Sequence, residues 1–345
     1  MNREVNREKV VVTGGMGFIG RNICELLLNE GYEVHVIDNY STTDLKRLEN
    51  YPFKVYEDHS KYLISNLGTG NDGIIFHRST ILDQKKIPVI MKGAKYVFHT
   101  AAIPRVEPSI QNPLFSNSIN IQGSLAIFFA AKEAGVERII FSSSSSVYGN
   151  TEEVPTDENV GIDPLSPYAL QKHVGEQYLE LFHKLYGTNS VSLRYFNVYG
   201  KFQPQVGSYV PVMGIFFRQY AKNDPLTVTG DGGTERDFVN VVDVARANLL
   251  AAVSPELAEG HHVFNIGTGS SFTINQIAKQ ISDQIHYISP RTEPKKTKAD
   301  ITKAKDVLGW EPEVFLFDWI KANRPEVSSG PPFQHKPTLP TNLSS

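Results

Sequence analysis

Two side chains in the sequence stand at a spacing that suits proton transfer. Tyr168 and Lys172 are four residues apart in a stretch, 167–186, whose pattern predicts a helix, so both would lie on one face. A lysine ammonium near a phenol favours the phenolate and lowers the phenol pKa from its usual value of about 10. Tyr168 is therefore a candidate base at neutral pH. The alternative is a surface pair on an amphipathic helix, but none of the other tyrosines among the 15 has a lysine four residues later.

A run of five serines, 142–146, precedes this pair in the chain. Alone, such a run is typical of a flexible linker. Here it stands between an apolar stretch, 138–142, that predicts a buried strand and the apolar pair Val147-Tyr148. We therefore expect at least one serine hydroxyl at the carboxyl end of a buried strand, where ligands of parallel sheets gather.

The elements that must position these groups begin at residues 9–20, KVVVTGGMGFIG. An apolar strand leads into Gly14, Gly17 and Gly20, and a helical pattern follows. Such a turn lets backbone N–H groups approach a phosphate closely. The next strand ends in Asp38, 18 residues after Gly20, near the distance at which a carboxylate reaches a ribose 2′-OH. The carboxylate would repel a 2′-phosphate, so NAD is favoured over NADP; the alternative is a glycine-rich turn with no ligand.

Strands and helices then alternate through the first half of the chain. Further strands are predicted at 73–78, 96–100, 138–142 and 191–195, and helices at 81–93, 114–135 and 167–186. This alternation predicts a parallel sheet that is covered on both faces, with ligands beyond the carboxyl ends of its strands. In the second half, strands are predicted at 226–229, 237–239 and 263–266, and helices at 241–253, 273–285 and 299–308. This irregular half predicts a smaller lobe that interleaves with the first.

The domain limits that we expect are 8–195 for a cofactor-binding domain and 196–323 for a substrate-binding lobe. Residues 324–345, rich in Pro and Ser, are typical of a disordered tail.

Composition excludes several classes of protein. A net charge of −3 with no basic run gives no sign of nucleic-acid binding. The single cysteine, Cys24, leaves no disulfide or cysteine-based metal site within one chain. No apolar run approaches the length of a membrane span. We expect a cytoplasmic protein without a metal.

The motifs TGGMGFIG, FSSSSSVYG, YALQK, LRYFNVYG and GDGGTERDFVNVVDV together resemble an extended short-chain dehydrogenase/reductase over residues 9–312. They are most similar to the NAD-dependent nucleotide-sugar epimerases, notably UDP-hexose 4-epimerases. The resemblance implies an α/β, Rossmann-type, doubly wound parallel sheet with a smaller C-terminal lobe. It also implies that Ser144, Tyr168 and Lys172 form the catalytic triad, with Asp38 on the adenosine ribose and Lys172 on the nicotinamide ribose. The implied NAD contacts are Gly14, Gly17, Phe18, Ile19, Gly20, Asp38, Asn39, Ser41, Ile81, Ala101, Ala102, Ser142, Tyr168, Lys172 and Tyr195.

The same resemblance places a UDP-sugar. Asn197 matches a diphosphate-binding residue, and Arg236 and Arg291 match arginines that clamp the phosphates, as guanidinium forks suit a diphosphate. Val212, Thr227 and Thr229 fall where the family contacts uracil. Thr297 matches the position at which a bulky tyrosine excludes N-acetylated sugars, so it predicts that UDP-GlcNAc and UDP-GalNAc are accepted as well as UDP-Glc and UDP-Gal.

The sequence departs from the family at three places. Thr80-Ile81 replaces an acid-isoleucine pair that holds adenine, which leaves this contact to Ile81 and Asp83. After Arg291, Thr292-Glu293-Pro294 stands in place of a proline-glycine-aspartate, and this segment of the chain has one residue fewer than in the family. The loop 51–72 is longer than usual.

The expected reaction is redox-neutral epimerisation at C4 through a 4-keto sugar, by a homodimer built from the two long helices. A 4,6-dehydratase or a sugar-acid decarboxylase of the same family is the alternative enzyme. Both patterns carry carboxylates after the catalytic hydroxyl, where this chain has Ser145 and Ser146. A non-catalytic NAD-binding protein is the alternative from another class, and it predicts a missing Tyr or Lys.

Overall fold

Residues 7–41, 55–57, 63–64, 73–104, 106–205, 210–257, 259–290 and 294–327 are described by a computed structural model, with the backbone alone for 55–57 and 63–64. The strands are β1 (Lys9–Thr13), β2 (Glu33–Asp38), β3 (Val55–Glu57), β4 (Leu63–Ile64), β5 (Ile74–Arg78), β6 (Tyr96–His99), β7 (Arg138–Ser144), β8 (Ser190–Tyr195), β9 (Asn197–Tyr199), β10 (Leu226–Thr229), β11 (Glu235–Arg236), β12 (Phe238–Asn240), β13 (His261–Ile266), β14 (Phe272–Thr273) and β15 (Ile285–Ile288). The helices are α1 (Phe18–Asn29), α2 (Lys86–Met91), α3 (Val106–Gln111), α4 (Pro113–Asn117), α5 (Ser124–Glu133), α6 (Pro167–Tyr186), α7 (Val212–Ala221), α8 (Val241–Val253), α9 (Ile274–Ile281), α10 (Thr302–Leu308) and α11 (Leu316–Asn323).

One large sheet organises the molecule. Its strand order is β13-β8-β7-β6-β1-β2-β5-β3-β4, and all of its pairings are parallel except that of β3 with β4. From β1 the chain first forms β2, β3, β4 and β5 on one side and then crosses to β6 on the other side of β1. Such a reversal opens a crevice at the carboxyl ends of the two central strands, here β1 and β6.

Both faces of this sheet are buried, as a parallel sheet requires. Val10 and Val12 of β1 face a core that includes residues of α1 and α8, whereas Val11 faces a second core with residues of α2, α5 and α6. The alternation of one strand between two apolar cores confirms the predicted Rossmann-type, doubly wound sheet.

A third core lies apart from the sheet. Met213 and Phe216 of α7 pack there with Leu226 of β10, Ile277 of α9 and Ile320 of α11. Residues 241–266, however, return to the large sheet and its helices, because α8 packs on α1 and β13 pairs with β8. The domain limits at 195 and 323 stay a prediction, and residues 328–345 of the expected tail lie outside the described residues.

Four predicted helices differ in their limits from those observed. Asp83 accepts the backbone N–H of Lys86 at 3.0 Å, so the helix expected at 81–93 begins only at Lys86. The helix expected at 273–285 ends at Ile281, and Ile285 begins β15, which pairs with the distant β10. The helix expected at 299–308 begins at Thr302, whose N–H is accepted by Asp300. The helix expected at 114–135 is α4, a π-helical segment (Ser118–Gly123) and α5 in succession.

That composite helix, Pro113–Glu133, is the single described helix that is long and apolar enough to cross a membrane by length and composition. Of its most apolar 18-residue window, a share of 44% is buried inside the protein, and the helix packs against α6 and α2. A core helix of a globular protein passes the same test, so this feature is weak evidence for a span.

Candidate active site

The glycine turn after β1 has no room for side chains. Gly14 has φ +69°, and a Cβ there would lie 2.8 Å from the backbone of Ala101. A Cβ on Gly20 would lie 2.2 Å from the Gly14 carbonyl oxygen. Gly17 is the N-cap of α1 and makes no side-chain cap for the first-turn N–H groups, which include those of Phe18 and Ile19. A bare helix N-terminus in a tight glycine cradle fits the pyrophosphate of a dinucleotide.

Asp38 lies at the end of β2, against this turn. Its two carboxylate oxygens accept the backbone N–H of Met16 at 3.0 Å and of Tyr40 at 2.7 Å. Burial raises the pKa of Asp38, and these two hydrogen bonds oppose that rise. Asn39 and Ser41, the predicted cofactor contacts that follow, are exposed, and the Asn39 side chain accepts the N–H of Ser41 at 3.0 Å. Asp38 is therefore fixed beside the glycine turn, where a ribose attached to the bound pyrophosphate would lie.

Three more of the predicted cofactor residues lie after the carboxyl ends of β5 and β6. Ala101 follows β6, and its N–H is donated to Thr13 Oγ1 of the neighbouring β1 at 3.2 Å. Ala102 is half-buried next to it, and Ile81 is buried after β5, against Gly123. Small side chains at the β1–β6 reversal leave room for a flat ring.

Helix α6 presents the Tyr168–Lys172 pair. Ser166 caps its N-terminus by accepting the Ala169 N–H at 3.2 Å, Pro167 is the first helical residue, and Gly187 ends it in the left-handed conformation. These caps fix the register, so Tyr168 is half-buried and Lys172 is buried toward the sheet. The ammonium Nζ lies 5.9 Å from the centre of the Tyr168 ring.

Lys172 is held by the end of β7. Its Nζ donates to the Ser142 carbonyl oxygen at 2.6 Å and lies 4.8 Å from the centre of the Phe141 ring. Burial lowers the pKa of Lys172 to about 7, although the nearby Glu176 carboxylate raises it. The Lys172 amine therefore changes between its charged and neutral forms near neutral pH, next to the candidate base.

The serines of the run have different neighbours. Ser142 Oγ and Tyr195 OH are 3.1 Å apart, and Ser143 Oγ donates to Glu176 Oε1 at 2.5 Å, both in the interior. Ser144 is half-buried and ends β7, and its Oγ accepts the N–H of Ser146 at 3.2 Å and the hydroxyl of Ser146 at 2.9 Å. The run is therefore a strand end followed by a 3-10 turn (Ser145–Tyr148), as its position predicted, and not a linker.

Sequence reasoning missed a buried polar network behind this site. Arg194 of β8 donates to both oxygens of Glu176, and its Nη1 donates to Tyr148 OH at 2.9 Å. Tyr148 OH in turn donates to Asn265 Oδ1 at 2.6 Å. Burial alone would raise the pKa of Glu176, but hydrogen bonds from His173, Arg194 and Ser143 and the Arg194 charge lower it to about 2. A charged residue inside the apolar strand 190–195 was the signal available for this network.

The predicted diphosphate residues adjoin this site. Asn197 follows Tyr195 by two residues, and its side-chain and backbone N–H groups donate to the Asp237 carbonyl oxygen at 2.8 and 3.0 Å. Arg236, next to Asp237, is buried in β11. Thr297 N–H donates to the Glu235 carbonyl oxygen at 3.1 Å, which brings Thr297 beside Arg236. The structure thus joins Asn197, Arg236 and Thr297, and Arg291 lies outside the described residues.

The predicted uracil residues lie on α7 and β10, two elements that contribute to the third core. Val212 begins α7, which packs on β10, where Thr227 and Thr229 are half-buried. Gln219 of α7 donates to Thr227 Oγ1 at 2.6 Å and accepts the Thr227 N–H at 3.1 Å. Among the residues that the structure describes, no group of three or more His, Cys, Asp and Glu side chains could hold a metal ion.

Comparisons with known proteins agree with this architecture. A model of the NAD dependent epimerase/dehydratase family matches residues 10–267. A putative UDP-glucose 4-epimerase of Methanocaldococcus jannaschii is 35% identical over 320 residues, which cover 90% of this chain and 96% of that protein.

Two solved structures are also similar over most of their length. The UDP-glucose 4-epimerase of Thermotoga maritima with UDP-glucose is 35% identical, with a TM-score of 0.79 over 91% of this chain and 96% of that one. The UDP-N-acetylglucosamine 4-epimerase of Methanobrevibacter ruminantium, in complex with UDP-N-acetylmuramic acid, is 34% identical. Its TM-score is 0.78, over 89% of this chain and 93% of that one.

Proposed function

The chain belongs to the NAD dependent epimerase/dehydratase family, and we propose that within it the protein is a UDP-hexose 4-epimerase. The observation that carries this proposal is the position of Lys172, whose Nζ lies 5.9 Å from the centre of the Tyr168 ring and donates to the Ser142 carbonyl oxygen, in the strand that ends at Ser144. Relatives named as UDP-sugar 4-epimerases support it over nearly the whole chain.

NAD is the cofactor, as the family's NAD dependence indicates. We propose that the N–H groups of Phe18 and Ile19 bind its pyrophosphate, that Asp38 binds the adenosine ribose and that Lys172 reaches the nicotinamide ribose. When bound, NAD would supply the acceptor for the hydride of the sugar C4 and the source of the hydride for the opposite face.

The chain's own groups handle the proton. Tyr168, as the phenolate favoured by the Lys172 ammonium, takes the proton of the sugar 4-OH and gives it back after the sugar has turned over. Ser144 donates a hydrogen bond to O4 and stabilises the developing carbonyl. Arg236, with Asn197 and Arg291, binds the diphosphate and retains the 4-keto sugar between the two half-reactions.

Residues 145 and 146 favour epimerisation over elimination. A 4,6-dehydratase needs an acid and a base near C5 and C6, and the resembling dehydratases carry carboxylates at these positions. Ser145 and Ser146 are half-buried hydroxyls in the 3-10 turn and cannot serve as carboxylates. A non-catalytic NAD-binding protein predicts a missing Tyr or Lys, and this chain has both Tyr168 and Lys172.

Thr297 supports a substrate range that includes N-acetylated sugars. Its side chain is small and half-buried beside Arg236, where a tyrosine would take up the space of an N-acetyl group. We propose that UDP-GlcNAc and UDP-GalNAc are substrates together with UDP-Glc and UDP-Gal.

We also propose a cytoplasmic homodimer. Leu114, Phe115 and Phe129 on the composite helix and Leu181 and Leu185 on α6 are large apolar side chains that are 44–84% exposed. The two helices pack side by side. We infer that these residues form one apolar face, of the kind that marks a protein–protein interface. Light scattering should give the mass of two chains, and Leu185→Glu should shift it toward one.

A product assay tests the function directly. Purified protein is incubated with UDP-glucose and, separately, with UDP-GlcNAc, without added reductant. We expect the C4 epimer of each with no net NADH, and we expect Thr297→Tyr to lose the second activity but keep the first. A stable 4-keto-6-deoxy product would favour the dehydratase, and turnover of UDP-galactose without any of UDP-GlcNAc would overturn the assignment of Thr297.

A further inference from the structure

Ser144 is bound twice by one neighbour. Its Oγ accepts the backbone N–H of Ser146 at 3.2 Å and the hydroxyl of Ser146 at 2.9 Å. The first bond caps the 3-10 turn Ser145–Tyr148, and the second joins two half-buried side chains at the edge of the site.

These two bonds determine what the Ser144 hydroxyl can do. A serine hydroxyl has one proton to donate and two lone pairs to accept with. Both lone pairs of Ser144 are engaged by Ser146, so its remaining capacity is a single donated hydrogen bond. In a chain of hydroxyls, a donor that binds the oxygen also makes its own proton a stronger donor.

The neighbouring serines cannot replace Ser146 in this role. The hydroxyl of Ser142 is paired with Tyr195, and that of Ser143 donates to the buried Glu176 carboxylate. Ser146 is held in place by its own turn, because its carbonyl oxygen accepts the Gly149 N–H at 3.2 Å and the next residue, Val147, is fully buried.

We propose that Ser146 is a positioning residue that makes Ser144 a dedicated hydrogen-bond donor to the sugar O4. This inference rests on the proposed epimerase function and deepens it. Ser146 acts through Ser144, so its hydroxyl need not touch the sugar.

The test is a double-mutant cycle with a conservative rescue. We expect Ser146→Ala to lower kcat about 10-fold, less than the loss of a direct oxyanion donor, because the backbone N–H of residue 146 still binds Ser144. The Kd for UDP-glucose, measured by calorimetry, should change less than about twofold, because only the transition state needs the oriented proton. Ser146→Thr keeps the hydroxyl and should restore kcat. Ser144→Ala and Ser144→Ala/Ser146→Ala should be equally slow.

The outcomes separate this inference from the function that it rests on. Unchanged kcat in Ser146→Ala, no rescue by threonine, or additive losses in the double variant would each overturn it while wild-type epimerase activity stands. Ser145→Ala serves as the matched control within the same turn, and a lowered or missing melting transition identifies any variant that fails to fold. A wild-type protein that forms no C4 epimer would overturn the function and this inference together.

Discussion

Glu176 and Arg194 form a two-point ion pair in the interior: Nε lies 2.9 Å from Oε1 and Nη2 lies 2.7 Å from Oε2. Both side chains are about 95% buried. The pair joins α6 to β8, and through Ser143 it also joins the strand that ends in Ser144. It therefore fixes the helix of Tyr168 and Lys172 relative to the strand of the candidate serine.

Breaking this pair should be costly. Glu176→Gln leaves a buried guanidinium without a counter-charge, and we expect a loss of about 3–5 kcal/mol in the free energy of unfolding. Urea unfolding measures it. The matched control is Glu180→Gln on the same helix, whose carboxylate pairs with Lys184 at 2.5 Å on the surface. That variant should lose less than about 0.5 kcal/mol, and a similar loss in both would contradict the importance of burial.

Much of this site was predictable from local sequence. The glycine turn follows from the order of strand, glycines and helix, and α6 follows from Ser166, Pro167 and Gly187 at its ends. Because Tyr168 and Lys172 are one helical turn apart, a correct helix sufficed to place them on one face.

What could not be predicted depends on partners distant in the sequence. β15 forms because Ile285–Ile288 pairs with β10, whereas the predicted helix 273–285 included the first residue of this strand. The polar network required that Glu176, Arg194 and Asn265 meet from three elements. The role of Ser146 depended on a side-chain rotamer, which residue spacing does not encode.

The pKa of Lys172 predicts a pH dependence of stability. The pKa is about 7 in the folded protein against an ordinary 10.5, so between these values the unfolded chain binds a proton that the folded chain does not. The free energy of unfolding should therefore rise with pH in this window, by at most about 1.4 kcal/mol per pH unit from this group.

Lys172→Met removes this contribution. In NAD-free protein, its free energy of unfolding relative to wild type should be highest near pH 7 and should fall as the pH rises toward 10. Urea unfolding at pH 6.5, 8 and 9.5 measures the difference. Lys184→Met, at an exposed lysine of the same helix, should run parallel to wild type. If the Lys172→Met curve also ran parallel to wild type, the pKa of Lys172 would not be lowered in the folded protein.

The glycine cradle predicts a steric effect on cofactor binding. Gly20→Ala places a methyl group 2.2 Å from the Gly14 carbonyl oxygen, so the turn must shift. We expect a loss of about 1–3 kcal/mol in stability and at least about tenfold weaker NAD binding by calorimetry. Gly161→Ala meets no atom within 4 Å and serves as the control, with a change below about 0.5 kcal/mol. Wild-type NAD affinity in Gly20→Ala would exclude this turn as the pyrophosphate site.

Tyr168→Phe separates chemistry from binding. The change removes one hydroxyl from a half-buried ring and leaves Lys172 bonded to the Ser142 carbonyl, so the fold and the UDP-sugar affinity should be unchanged. Without the phenolate, the 4-OH proton has no base, and we expect kcat to fall at least about 10²-fold. Product formation from UDP-glucose gives kcat, and calorimetry gives the Kd. Tyr178→Phe, one more tyrosine of α6, is the matched control and should turn over as wild type. Near-normal turnover in Tyr168→Phe would show that another group takes the proton.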